Sequence, residues 1–267
     1  MFTKTREAFI RSKVEERIPR PPYFSVMEEL NLRGGAPLAK QPGEVPILQP
    51  KELARALAEG IVLDAREPEA FAAGHIPRSY SIWAGGLPVF GGWIAGPSTP
   101  VFLVLTSMDD VDSAVLSLAR IGVDNVAGVL AGGFEKWRNA GLPVASSGAI
   151  TPRDLSRVLG QVRVLDVRED SEFEEDGHIP QASHLYVGYV EEHLGKLEPP
   201  LAKTERVAVT CSVGHRASVA ASILRRLGYE RVENVLGGMT AWYALELPTE
   251  KGDENAVTTS DVEGERT

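Results

Sequence analysis

Val62-Leu63-Asp64-Ala65-Arg66-Glu67 returns 102 residues later as Val164-Leu165-Asp166-Val167-Arg168-Glu169. Gly74-His75-Ile76-Pro77 returns 103 residues later as Gly177-His178-Ile179-Pro180. Gly132-Gly133-Phe134-Glu135-Lys136-Trp137 returns 105 residues later as Gly237-Gly238-Met239-Thr240-Ala241-Trp242. The order is kept while the offset drifts by only three residues, so the chain holds two copies of one domain. They span 45–145 and 146–248, each near the common domain size of about 100 residues. Within each copy, short β-branched runs alternate with helical patterns. In the second, Thr151-Pro152-Arg153-Asp154 opens a helix, with Thr as N-cap, Pro at the first turn and Asp closing a capping box. Val162–Val167, Val207–Thr210 and Val232–Leu236 read as strands, and Ala217–Leu227 as a helix that ends before Gly228. Such alternation predicts an α/β fold in which each copy has a parallel central sheet flanked by helices on both faces.

Two ends fall outside the repeats. Residues 1–44 read as an arm or linker carrying a short docking segment, Pro21-Pro22-Tyr23-Phe24. The tail 249–267 is polar, acidic and free of aromatics, and is expected to be disordered.

Composition narrows the function. The 267 residues are 43% hydrophobic, with 28 Lys+Arg against 37 Asp+Glu and a net charge of −9, which argues against nucleic acid or an anionic membrane as partner. No apolar run approaches the ~20 residues of a membrane helix. The first residues, Met-Phe-Thr-Lys-Thr-Arg-Glu, are charged, unlike a secretory leader. One cysteine, Cys211, excludes a disulfide within the chain and a cysteine-based zinc cluster. Neither metal nor cofactor is expected, and the expected compartment is cytoplasmic.

The repeat supplies its own control. Features shared by both copies are framework, and differences mark divergent chemistry. Aligned through the Gly-Gly turn, the first copy reads Thr106-Ser107-Met108-Asp109-Asp110-Val111 where the second reads Cys211-Ser212-Val213-Gly214-His215-Arg216. This alignment sets Thr106 opposite Cys211. Cys211 closes a parallel strand, where ligands bind in open α/β sheets. The following helix points its positive end at the loop, and Gly214 can supply the positive φ of an anion nest. Arg216 adds a fixed positive charge. These features favour negative charge on the sulfur and would cradle an anion attached to it. A lone cysteine is ordinarily an inert core residue, and the Gly and Arg spacing reverses that expectation.

The pattern Cys-x-x-Gly-x-Arg, with Asp-x-Arg and Gly-His-Ile-Pro upstream and Gly-Gly-x-x-x-Trp downstream, resembles the rhodanese sulfurtransferase family over both repeats. The resemblance implies that Cys211 carries sulfane sulfur as a persulfide and that Ser212, Val213, Gly214, His215 and Arg216 bind the substrate anion. It further implies a small-molecule donor, thiosulfate or a low-molecular-weight persulfide, and a thiol or cyanide acceptor. The first copy departs from the pattern, with neither Cys nor Arg and with Asp109 and Asp110 repelling anions, so it is expected to be non-catalytic. Four residues separate Cys211 from Arg216, where related phosphatases have five. The tighter loop suits a transferred sulfur atom better than a phosphate or arsenate. The Pro-Pro-Tyr-Phe arm is similar to the joining segment of fusions between metallo-β-lactamase-like persulfide dioxygenases and tandem rhodaneses, although no His-x-His-x-Asp-His cluster occurs here. Such a dioxygenase is thus a candidate partner, and a non-turnover carrier or scaffold docking on it is the alternative to an enzyme. A plain packing arm is the simpler reading of that segment.

Other residues read as framework. His75 and His178 recur in both copies and suit turn stabilisation. Asp64, Arg66, Asp166 and Arg168 read as structural partners, with Arg168 also a candidate for the active-site rim. His215 is unique to the second loop, as a charge at the site or an exposed bystander. Trp137 and Trp242 read as core anchors. The apolar stretch Gly85–Gly96 faces either a partner or the other copy.

Overall fold

β-Branched runs and capped helical segments alternate through both copies, and each copy folds into its own all-parallel sheet. In the computed structural model, the described residues are 5–14, 18–34, 42–252, 256–258 and 261–262. The arm forms α1 (Arg6–Val14) and α2 (Tyr23–Arg33). The first domain then runs β1 (Ile47–Leu48), α3 (Pro50–Ala56), β2 (Ile61–Asp64), α4 (Pro68–Ala73), β3 (Tyr80–Ser81), α5 (Leu87–Ile94), β4 (Val101–Val104), α6 (Val111–Ala119), β5 (Val126–Leu130) and α7 (Gly133–Asn139). The second repeats the series as β6 (Gly148–Ile150), α8 (Pro152–Arg157), β7 (Arg163–Asp166), α9 (Asp170–Glu174), β8 (Ser183–Leu185), α10 (Val190–His193), β9 (Arg206–Thr210), α11 (His215–Arg226), β10 (Arg231–Val235) and α12 (Gly238–Ala244). A last strand, β11 (Ala256–Val257), follows.

The strand orders are β1-β5-β4-β2-β3 and β11-β8-β7-β9-β10-β6, the same topology with β11 added at one edge. Helices cover both faces because strand residues alternate between two cores. In the first domain, Val62, Phe102 and Val104 pack with Leu53 of α3 and Phe134 and Trp137 of α7. Leu63, Val101 and Leu103 face α5 and α6 instead. The same division recurs in the second domain, where Val164 and Ala208 meet Leu155 and Trp242 while Leu165, Val207 and Val209 face α10 and α11. The α5/α6 face and the α10/α11 face belong to one continuous core that joins the domains.

Local signals behave as their chemistry requires. The Thr151 hydroxyl caps α8 by accepting from the Asp154 amide at 3.1 Å. Asp154 does not complete the box; its shorter side chain accepts from the Thr151 hydroxyl at 2.7 Å. Most of the stretch 85–96 becomes α5, and its Trp93 packs edge-on against Tyr189 at 5.4 Å between centroids, so this surface faces the other copy. Of the arm, Tyr23 of α2 lies against Gly92 and joins the shared core. For the tail, the expectation of disorder fails among the described residues. Ala256 and Val257 extend the second sheet beside β8, and Val257 and Val262 are buried. Glu250 bridges to His178 as Ala145 does to His75 in the first domain. A few apolar side chains and free backbone groups suffice to dock a polar segment on an open sheet edge.

Candidate active site

Strand β9 delivers Cys211 to the C-terminal edge of the second sheet. The alternation that turns Val207 and Val209 toward α11 turns Cys211 the same way, and the residue is only 1% exposed. The chain then turns at Gly214, whose φ of +104° suits glycine, and enters the N-terminus of α11. The Gly214 amide donates to Cys211 Sγ at 3.1 Å, the nest contact expected from the sequence. The loop is braced from behind. Asn234 Nδ2 donates to the Gly214 carbonyl at 3.1 Å. The Met239 amide donates to the Cys211 carbonyl at 2.8 Å and the Thr240 amide to the Ser212 carbonyl at 2.9 Å. Gly238, with φ +51°, lies where any Cβ would collide with the Cys211 carbonyl. The Gly-Gly turn therefore supports the loop directly.

Arg216 does not stand as a free charge. Glu172 of α9 grips it through two hydrogen bonds, at 2.6 Å from Nη1 and 2.7 Å from Nη2. Nη2 also donates to Ser212 Oγ at 2.6 Å, and that hydroxyl donates to Glu172 at 2.7 Å. Burial alone would push the Glu172 carboxyl up, but Arg216, Ser212 and the Glu169 amide outweigh it and bring its pKa down to about 2. Burial works against the Arg216 charge, and Glu172, then the nearby Cys211 sulfur, hold it protonated above its ordinary range. Tyr186, just beyond β8, lies beside this pair; burial, then the charge of Glu169, keeps its phenol protonated.

The other loop residues diverge. Val213 forms the tip, about half exposed. His215 turns toward the first domain, its Nε2 at 3.2 Å from Glu67 Oε2 and its ring 4.7 Å from that of Trp83. Arg168 is not on the rim. It is 2% exposed, clasps Asp166 through Nε and Nη2 and donates to the Gly177 carbonyl at 2.9 Å, so burial fixes it as a structural clamp. Arg66 does the same with Asp64 and the Gly74 carbonyl. His75 and His178 bond the carbonyls of Phe71 and Phe173 and stack on those rings, as turn stabilisers. Trp137 and Trp242 are buried, with indole N–H groups on the carbonyls of Pro143 and Pro248.

The counterpart of Cys211 in the first domain is Leu105, not Thr106. Asp64 pairs with Val104 in one sheet as Asp166 pairs with Thr210 in the other, so the next residues, Leu105 and Cys211, are equivalent. Leu105 is buried on the shared-core face, whereas Thr106 is exposed. The shift arises in β5. Val101 and Phe102 pair with Val126 and Gly128, skipping Ala127, whereas Val207 and Ala208 pair with consecutive Val232 and Glu233. This one-residue bulge displaces an alignment anchored on the downstream Gly-Gly turn. In true register Met108 stands at the Gly214 position and Asp110 at that of Arg216.

Glu172 escaped the sequence reading although the copies carried a signal for it. Counting from the paired Asp64 and Asp166, its equivalent is Ala70, so Glu172, like Cys211 and Arg216, belongs to the second copy alone. Among the described residues, no group of three His, Cys, Asp or Glu gathers as a metal site, and no helix is long and apolar enough to cross a membrane.

Comparison with known proteins finds the Rhodanese-like domain model twice, at residues 49–140 and 151–245. A Bacillus subtilis protein provisionally named a sulfur carrier protein, YrkF, is 33% identical over 81 residues, covering 30% of this chain and 41% of that one. Another from the same organism, provisionally named a sulfurtransferase, YtwF, is 37% identical over 82 residues, covering 31% of this chain and 74% of that one. Of solved structures, a Thermoplasma volcanium rhodanese-related protein is 28% identical and covers 39% of this chain and 99% of its own, with a TM-score of 0.36. Matched across both copies of its repeat, the chain belongs to the rhodanese-like family as a tandem of two such domains.

Proposed function

We propose that the chain is a sulfurtransferase in which Cys211 accepts sulfane sulfur as a persulfide and passes it to a thiol or cyanide. The observation that carries this reading is the Gly214 amide on Cys211 Sγ at the mouth of α11, a cradle able to hold charge on the sulfur or on a terminal sulfur attached to it. The Cys211 thiolate attacks the outer sulfur of thiosulfate, the donor S–S bond breaks, and sulfite leaves with the electron pair. An acceptor thiolate then attacks the terminal sulfur and returns Cys211 as thiolate, a ping-pong scheme with no net oxidation at the enzyme. With one cysteine in the chain, no internal thiol can resolve the persulfide, so the acceptor comes from outside. Ser212, Val213, Gly214, His215 and Arg216 form the substrate loop. The first domain, with Leu105 at the cysteine position, is non-catalytic. A single free cysteine suits a reducing, cytoplasmic compartment, and a persulfide dioxygenase is a fitting source of donor or docking partner.

Intact mass after incubation with a sulfur donor should show one added sulfur on the wild-type chain, removed by cyanide or thiol. Cys211→Ser should show none while keeping its circular dichroism and melting temperature. Turnover with excess donor and acceptor supports the enzyme; one stoichiometric transfer supports the carrier reading, which the similarity to a named sulfur carrier favours. Wild-type sulfur loading in Cys211→Ser would overturn both.

A further inference from the structure

Resting on the sulfurtransferase reading, the surroundings of Arg216 bear on which donors the site accepts. Arg216 is the one side chain of the Cys211–Arg216 loop that is cationic at any ordinary pH. Glu172 matches it with two hydrogen bonds, and Ser212 closes the network by contacting both partners. The two side chains are 17% and 26% exposed, so solvent screens their charges only in part. Their sum is zero at the place where an anionic donor would look for a cation. Coulomb energy scales with the product of charges, so a dianion forfeits twice what a monoanion does when Arg216 is neutralised, and a neutral donor forfeits nothing.

Two further observations agree. The first domain brings another carboxylate, Glu67, to the loop through His215, and the whole chain carries −9. The loop tip is apolar, with Val213 49% exposed and the Trp83 ring against His215 nearby. A carbon-bearing leaving group finds contacts there that sulfite would not use.

We propose that Glu172 is a specificity-determining residue that, by neutralising Arg216, turns the Cys211 site away from thiosulfate and toward organic persulfides of low charge. With R–S–SH as donor, the Cys211 thiolate bonds to the terminal sulfur and the donor S–S bond breaks. The R–S⁻ leaving group carries off the electron pair and takes a proton from water. Sulfur is transferred with no oxidant or reductant.

The test compares kcat/KM for cysteine persulfide and for thiosulfate, with one thiol acceptor, in the wild type and in Glu172→Gln. The wild type should favour cysteine persulfide. The variant should raise the ratio of thiosulfate to persulfide efficiency on the order of tenfold, chiefly through a lower KM for thiosulfate. Equal losses with both donors would mean that Glu172 only supports the fold and would overturn the proposal. A wild type that prefers thiosulfate would overturn it without any variant, even if Glu172→Gln fails to fold. Failure of both donors to load the wild-type Cys211 would instead remove the underlying sulfurtransferase reading.

Discussion

Arg168 and Arg216 each hold a carboxylate bidentately, and burial separates their work. The Arg168–Asp166 pair is sealed in the domain at 2% and 0% exposure, where losing one partner typically costs about 3–5 kcal/mol. Arg216–Glu172 sits at the edge of the loop, within reach of solvent and of the Cys211 sulfur. Its pH response follows from Glu172. Held near 2 in the folded chain against an ordinary value of 4.5, the carboxylate contributes stability that is present in full above about 4.5. That contribution is lost as the pH falls through this range toward about 2, and with partial exposure its size is on the order of 2–3 kcal/mol. Thermal melts between pH 6 and about pH 3 should therefore show a steeper acid loss for the wild type than for Glu172→Gln. Parallel curves would show that the pair adds nothing to folding.

At the scale of elements, β5 and β10 differ by one residue, and that difference governs how the domains are compared. The bulge at Ala127 lies downstream of β4, so it leaves the Leu105 loop in register with the Cys211 loop but offsets the Gly-Gly turns. Leu105→Cys is thus the substitution that puts a thiol at the equivalent strand end. It should remain unloaded by sulfur donors, because Met108 replaces the glycine of the nest and Asp110 replaces Arg216 and repels anions. Peptide mapping after donor treatment should find added sulfur at Cys211 alone. A persulfide at position 105 would show that the first domain keeps a working cradle.

Across the whole molecule, α11 does two jobs at once. Its N-terminus carries the loop, and its small residues Ala217, Ser218, Ala221 and Ser222 bring it close to the first sheet. The Ser81 amide on the edge strand β3 donates to Ser222 Oγ at 3.0 Å, and Ser81 Oγ meets Ser218 Oγ at 2.7 Å. Tyr80 OH donates to Glu191 at 2.8 Å, and the Arg226 guanidinium lies 4.0 Å over the Tyr80 ring. The otherwise open edge of β3 is thereby covered by the other domain. With a shared apolar core as well, the two domains should unfold in one calorimetric transition with matching van't Hoff and calorimetric enthalpies. Trp93→Ala, which removes the ring packed on Tyr186, Tyr189 and Gly188, should lower stability by roughly 2–4 kcal/mol. Two well-separated transitions in the wild type would show that the core is shared in geometry but not in energy.

The duplicated Asp-x-Arg, Gly-His-Ile-Pro and Gly-Gly motifs, the strand–helix alternation, the Thr151 cap and the glycine turn after Cys211 were all legible in the chain. Each depends on residues a few positions apart, whose conformational preferences and periodicity act locally. The partner of Arg216 was decided 44 residues away, by the packing that sets the first turn of α9 beside the loop. The link from His215 to Glu67 spans 148 residues and exists only because the domains dock. The register of Leu105 against Cys211 turned on one bulged residue in β5, which strand pairing reveals and linear spacing hides. The docking of Ala256 and Val257 followed from an open sheet edge that composition does not register. Tertiary packing thus set the charge of the loop and the contacts at its mouth, because both are sums over groups far apart in sequence.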